Sequence, residues 1–196
     1  MRYWFKGNVF RNVGVTAPPG PNGLIEEYLG TDDDRLIYPN VSTCTTVSVL
    51  LANNTLVGTH LSAMCTASDI DTIVARMIVM AGRQVATRIA VLGVLRYIAG
   101  NNQRGGVAYT STPACRFPAK LETFAGLFGL GRRAIMYYDQ ANGTEKHYQV
   151  RAVGGGNLAT FYQDVGLHQV GGGMSSKPFS RSDPWSSLPT LDFPVL

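Results

Sequence analysis

The chain is predicted to be α/β, a layered mixed β-sandwich flanked by helices and forming a single domain. Three observations predict this. From Val41 to Ser62, apolar and polar residues alternate in two stretches around Asn53-Asn54, the pattern of two strands and a tight turn. Only two segments, 68–82 and 118–129, carry helical spacing, which disfavours a doubly wound parallel sheet. A length of 196 residues with 45% hydrophobic content suits one real core.

Taken in order, the first forty residues read as irregular. Ala17-Pro18-Pro19-Gly20-Pro21-Asn22-Gly23 is a loop, and Asp32-Asp33-Asp34 an acidic, solvated turn. Val47, Val49 and Leu51 mark a half-buried strand, and a second strand runs from Thr55 to Ser62. Asn suits the turn between them because it tolerates positive φ. Ser68 reads as an N-cap, followed by one apolar stripe of Ile70, Ile73, Val74, Met77, Ile78 and Ala81, with Gly82 as the stop. Its methionines are core filler rather than a cofactor box. Thr87 to Leu95 is apolar and β-branched enough for a buried strand. Pro118 to Leu127 reads as helical, with Leu121, Phe124, Ala125 and Phe128 on one face. Ala134–Tyr138 and His147–Val153 read as strands around Asn142-Gly143, a strong hairpin signal. Gly154-Gly155-Gly156 and Gly171-Gly172-Gly173 lack the helix start and Gly-Lys-Ser/Thr end of a phosphate loop, so they read as turns. Residues 1–174 are expected to form the catalytic domain. Residues 175–196 form a Ser/Pro-rich tail with Trp185 and Phe193 embedded, either disordered or wrapped on the body through those aromatics.

Composition excludes several function classes. The net charge of +4 is mild, and the basic residues are scattered, so no nucleic-acid stripe is expected. No apolar run approaches the ~20 residues of a membrane span, and the N-terminus lacks a signal-peptide core. Three cysteines, Cys44, Cys65 and Cys115, are an odd count that argues against a disulfide framework. Zinc-type spacing is absent, so no metal and no cofactor are expected.

The chemistry is concentrated at the ends of the first strand pair. Cys44 opens one strand and His60 closes the next, and an antiparallel pairing brings such ends to the same side of the sheet. A thiol beside an imidazole is the nucleophile–base unit of cysteine catalysis. The small hydroxyl residues Ser42, Thr43, Thr45 and Thr46 make the spot polar, and Gly58 lets backbone approach closely. The bland alternative is a buried structural cysteine, which is how free Cys most often behaves. Cys65, just before the first helix, is a second candidate nucleophile, because helix N-termini lower thiol pKa. His147 and His168 read as surface or packing residues.

Ser42-Thr43-Cys44 before a strand, with His60 sixteen positions on (60 − 44), resembles the glutamine deamidases. That superfamily includes the cytotoxic necrotizing factors, Burkholderia lethal factor and the chemoreceptor deamidase CheD. Its motif is a hydrophobic residue, a small residue, Gly and Cys, with the His on the next strand. Val41, Ser42, Cys44 and His60 fit it, and Thr43 stands where the family usually has Gly. The resemblance covers residues 35–100 and implies a β-sandwich with outer helices.

It implies a hydrolase that converts a partner's glutamine to glutamate. Cys44 would be the nucleophile and His60 the base. Ser42 or Thr43 would help hold the oxyanion, and the backbone carbonyl of Tyr38, six residues before Cys44, would orient the imidazole. It also implies a bacterial toxin or effector acting on a host protein, such as a small GTPase or translation factor, in the host cytoplasm; action in the bacterial cytoplasm is the alternative. The long loops 17–23, 100–113 and 139–146 would select the partner. Transglutaminase-type amine transfer and papain-like proteolysis are the enzymatic alternatives. A non-enzymatic protein-binding module is the alternative from another class.

Overall fold

A computed structural model describes residues 2–6, 9–12, 23–62, 65, 67–95, 125–140, 144–165, 167–170, 173–176 and 183–192. In chain order the elements are β1 (Arg2–Lys6), β2 (Val9–Asn12), β3 (Tyr28–Asp32), β4 (Arg35–Val41), β5 (Thr45–Leu51), β6 (Leu56–Leu61), α1 (Ala67–Ala81) and β7 (Ala86–Gly93). There follow β8 (Ile135–Asp139), β9 (Lys146–Ala152), β10 (Leu158–Asp164), β11 (Leu167–Val170), β12 (Gly173–Ser176), β13 (Ser186–Ser187) and β14 (Leu191–Asp192). The domain is mostly β, with two main sheets and little helix. An eight-stranded sheet runs β14-β8-β7-β5-β6-β3-β1-β2, a four-stranded sheet runs β13-β10-β9-β4, and β11 pairs with β12. β7 and β8 are parallel, and every other pairing between these strands is antiparallel among the described residues, so the large sheet is mixed.

β5 and β6 form the expected hairpin, with Thr46 opposite His60 and Leu50 opposite Leu56. Asn54 sits at φ 65° in the turn, the left-handed conformation that Asn adopts at low cost. β5 differs from the expected half-buried strand, because all seven of its residues are buried. Val47, Val49 and Leu51 join Ile70, Ile73, Val74 and Met77 of α1 in one core cluster. On the opposite face, Leu50 joins a second cluster drawn from both sheets, with Leu36, Tyr38, Tyr148 and Val150. The alternating polar residues of β5 are therefore not a solvent face. Thr46 Oγ1 donates to the Leu92 carbonyl, and the Ser48 and Tyr38 hydroxyls share a hydrogen bond.

α1 begins at Ala67, so Ser68 lies inside it rather than capping it. The carbonyl of Ser68 accepts from Thr72 Oγ1. Ile78, expected on the apolar stripe, is exposed along with Val79. Gly82 ends the helix at φ 63°, the usual reason for glycine there. Of the second predicted helix, residues 125–127 are helical, and 118–124 lie outside the described residues.

The Asn-Gly hairpin is a correction. Asn142-Gly143 lies outside the described residues, but the flanking strands do not pair. β8 runs parallel to β7 in the large sheet, whereas β9 lies between β4 and β10 in the small one. A turn signal acts locally, and here the β7–β8 ladder prevails over it. The hairpin in this region is β9–β10, turned by Gly154, Gly155 and Gly156 at φ 78°, 61° and 74°. The segment expected as a tail supplies β13 to the small sheet and β14 to the large one. It also buries Leu188. Phe193 lies outside the described residues.

Candidate functional site

Cys44 sits where the chain passes from one sheet to the other. Val41 is the last residue of β4 and pairs with Lys146 in the small sheet, after an irregularity in register between Tyr38 and Val41. Asn40, within that irregularity, takes φ 56°, and its N–H donates to Nδ1 of His147. Thr45 is the first residue of β5 and pairs with Leu61 and Gly93 in the large sheet. Residues 42–44 make the crossing. Ser42 is half-buried and Thr43 exposed. Cys44 is 4% exposed, and its carbonyl accepts from the Val94 N–H.

His60 shares the inner face with Cys44. Side chains along a strand alternate, so His60, directly opposite Thr46, faces the same side as Leu50 and Leu56, whose cluster also holds Cys44. The packing agrees. Cys44 belongs to the cluster drawn from both sheets, and the Tyr38 ring of that cluster meets the His60 ring edge-on at 6.1 Å. Gly58, two residues before His60, makes room for Tyr38; a side chain there would overlap the Tyr38 hydroxyl.

The imidazole is 1% exposed. Nδ1 lies 3.0 Å from the carbonyl oxygen of Leu24. A carbonyl only accepts, so Nδ1 carries the proton and Nε2 carries the lone pair. Nε2 is buried with no hydrogen-bond partner among the described residues. Burial holds the ring well below its ordinary pKa, at about 4, against the smaller opposing pulls of the Leu24 carbonyl and Glu26. The ring is therefore neutral at physiological pH, with an acceptor nitrogen available in the tautomer a general base requires. Leaving such a nitrogen unpaired costs about 1–3 kcal/mol, and a buried orphan of this kind calls for a functional or structural reason.

Tyr38 is corrected in its role. The carbonyl facing Nδ1 belongs to Leu24, and Tyr38 contributes its ring instead. Its hydroxyl also donates to the Val47 carbonyl at 3.1 Å. Leu24 is itself fixed by donating its N–H to the Ile37 carbonyl at 2.7 Å, beside a bridge between Gly23 and Ile37. No side-chain signal marks a residue that acts through its backbone.

The other candidates lie in different surroundings. Cys65 precedes α1, but burial pushes its thiol up to about 12, and Asp69, Glu27 and Cys44 add to the rise against the lowering effect of the Ser62 backbone. His147 is buried in β9 rather than surface-exposed, and burial lowers its pKa despite Glu145 and Asp183. It points away from the shared cluster, because its neighbour Tyr148 points into it. Cys115 and the side chain of His168 lie outside the described residues. Among the described residues no group of His, Cys, Asp and Glu is placed to hold a metal ion, and no helix is long and apolar enough to cross a membrane. No family model matches this chain, and no curated protein matches it.

Proposed function

We propose that the protein is a cysteine-dependent amidohydrolase that deamidates a glutamine of a protein partner. The observation carrying this is the unpaired Nε2 of His60, in the base tautomer, on the same inner face as Cys44. In this reading Nε2 takes the Cys44 proton as sulfur attacks the carboxamide carbon. The imidazolium returns that proton to the departing ammonia. Water then cleaves the thioester, giving glutamate and the free thiol. In this reading the Cys44 N–H and the hydroxyl of Ser42 or Thr43 serve as donors for the oxyanion, Thr43 being the more exposed of the two hydroxyls. Amine transfer would follow the same path with an amine in place of water. A papain-like arrangement fits less well, because Cys44 leads into a strand and not a helix.

The two sheets are read as the layers of a sandwich, since they share one core cluster. An effector acting on a host GTPase or translation factor remains the partner class that the Ser42-Thr43-Cys44…His60 resemblance suggests.

The second reading is a non-enzymatic binding module, in which Cys44 and His60 are core residues. Their burial and the low His60 pKa favour it. Two measurements separate the readings. Cys44→Ser and His60→Gln should each abolish Gln-to-Glu conversion in host cytosolic extract, mapped by mass spectrometry, while leaving the melting temperature within a few degrees. Iodoacetamide at neutral pH should label Cys44 faster than Cys65. No conversion above the Cys44→Ser background, with slow labelling of both thiols, would overturn the deamidase reading in favour of the binding module.

A further inference from the structure

Gln140 follows β8 and is fully buried. Its amide nitrogen lies 3.0 Å from the carbonyl oxygen of Val41 and 2.6 Å from that of Thr144. Its Oε1 accepts from the Tyr148 hydroxyl at 2.5 Å. Two carbonyls on one side and a hydroxyl on the other fix the orientation of the amide, because a flip would set oxygen against two oxygens. Both of its N–H donors are used. Its own backbone N–H donates to the Gly93 carbonyl at 2.8 Å.

These contacts converge on the crossing that carries Cys44. Residues 42–44 run between Val41, the last residue of β4, and Thr45, the first of β5, so what holds these two ends bears on their path. Gln140 holds the Val41 carbonyl at one end, and the Val94 N–H holds the Cys44 carbonyl at the other. Gly93, which Gln140 also binds, lies against both ends. A Cβ built there would overlap the Cys44 carbonyl oxygen and lie 3.2 Å from Val41 Cγ1.

We propose that Gln140 is a positioning residue for Cys44: it clamps the Val41 carbonyl and so sets where the crossing presents the thiol to His60. This rests on reading Cys44 as the nucleophile. A buried amide that ties the Val41 carbonyl, three residues before Cys44, to the Thr144 carbonyl before β9 is more than packing needs, since an apolar side chain of the same length fills the same volume.

The test uses Gln140→Met, which keeps the length and removes both donors, and Tyr148→Phe, which removes the hydroxyl that orients the amide. Native protein is pulsed with iodoacetamide, and labelling of Cys44 and Cys65 is read peptide by peptide. Each lost buried hydrogen bond should loosen the crossing roughly fivefold. The Cys44-to-Cys65 labelling ratio should therefore rise at least about tenfold in Gln140→Met and roughly fivefold in Tyr148→Phe. On a blocked Gln-Gly peptide, kcat for ammonia release should fall while KM holds. An unchanged ratio in both variants overturns the proposal, as does a rise shared equally by Cys44 and Cys65, which would report global opening. Should Gln140→Met fail to fold, Tyr148→Phe alone decides. If the wild-type protein releases no ammonia, the deamidase reading falls, and the labelling ratio alone still decides whether Gln140 holds the crossing.

Discussion

Gly58→Ala is expected to be among the most costly single-methyl additions in this protein. Gly58 lies in β6 opposite Ser48, on the face turned toward Tyr38. A Cβ there would overlap the Tyr38 hydroxyl and lie 2.5 Å from Leu36 Cδ1 and 3.0 Å from the Val47 carbonyl oxygen. Ordinary carbon contacts are about 3.5–4.0 Å, so Tyr38 must move by more than an ångström. It is pinned by Ser48 Oγ at 2.6 Å and the Val47 carbonyl at 3.1 Å. Overpacking costs about 1–3 kcal/mol, and stranding a buried hydroxyl about 1–3 kcal/mol. Replacing glycine by alanine in a strand returns about 0.5–1 kcal/mol. The net loss is about 3 kcal/mol, which for a chain of this size lowers Tm by roughly 6–12 °C. Chemical denaturation of Gly58→Ala, Tyr38→Phe and the double variant measures it. Tyr38→Phe deletes the overlapping atom, so in that background Gly58→Ala should cost at least about 1 kcal/mol less. A cost below about 0.5 kcal/mol, or an equal cost in both backgrounds, would refute the placement of Tyr38 over Gly58 and with it the wall beside His60.

Two further outcomes follow from the same site. His60 is held near pKa 4 in the folded protein, against about 6.5 when unfolded, so the unfolded chain binds more protons between those values. Stability should be fully present above about pH 6.5 and decline by roughly 3 kcal/mol as pH falls to 4. Urea midpoints across this window should flatten in His60→Gln, and a slope unchanged by that substitution would show that His60 is not the titrating group. Gly93→Ala should destabilise by roughly 3 kcal/mol, because Gly93 takes φ 122° and its Cβ would strike the Cys44 carbonyl oxygen. It should also alter iodoacetamide labelling of Cys44, and a wild-type labelling rate would sever the link between Gly93 and the crossing.

The sequence was legible where periodicity and local chemistry agreed. The β5–β6 hairpin, its Asn turn, the helix over 68–82 and its glycine stop all follow from patterns within one element. Two features were not legible, for different physical reasons. Thr46 and Ser48, alternating with valines, look like a solvent-facing row, yet they are buried, because their hydroxyls are satisfied by Leu92 and Tyr38 from other strands. Partners so distant in sequence leave no trace in the pattern. Asn142-Gly143 signals a hairpin, but β8 finds its ladder on β7 and β14, and β9 on β4 and β10. At the site, Cys44 and His60 are visible as residue types at the ends of paired strands, and the face of His60 follows from a period of two. Leu24 was missed because it acts through a carbonyl, which every residue has. Gln140 was missed because its three partners, Val41, Thr144 and Tyr148, belong to segments that only the fold gathers.

The short stretch 183–192 has a bearing on how this protein would fail. Its β13 lies along β10 at Phe161 and Tyr162, and its β14 lies along β8 at Tyr137 and Met136. One piece of chain therefore shields an outer edge of each main sheet. An uncovered edge is a row of unpaired donors and acceptors that invites another chain to add a strand. Both shields are two residues long, so peeling them away breaks few ladder bonds and leaves the interior of each sheet intact. The lowest route to self-association would then run through an otherwise folded molecule whose two edges open together, rather than through the unfolded chain.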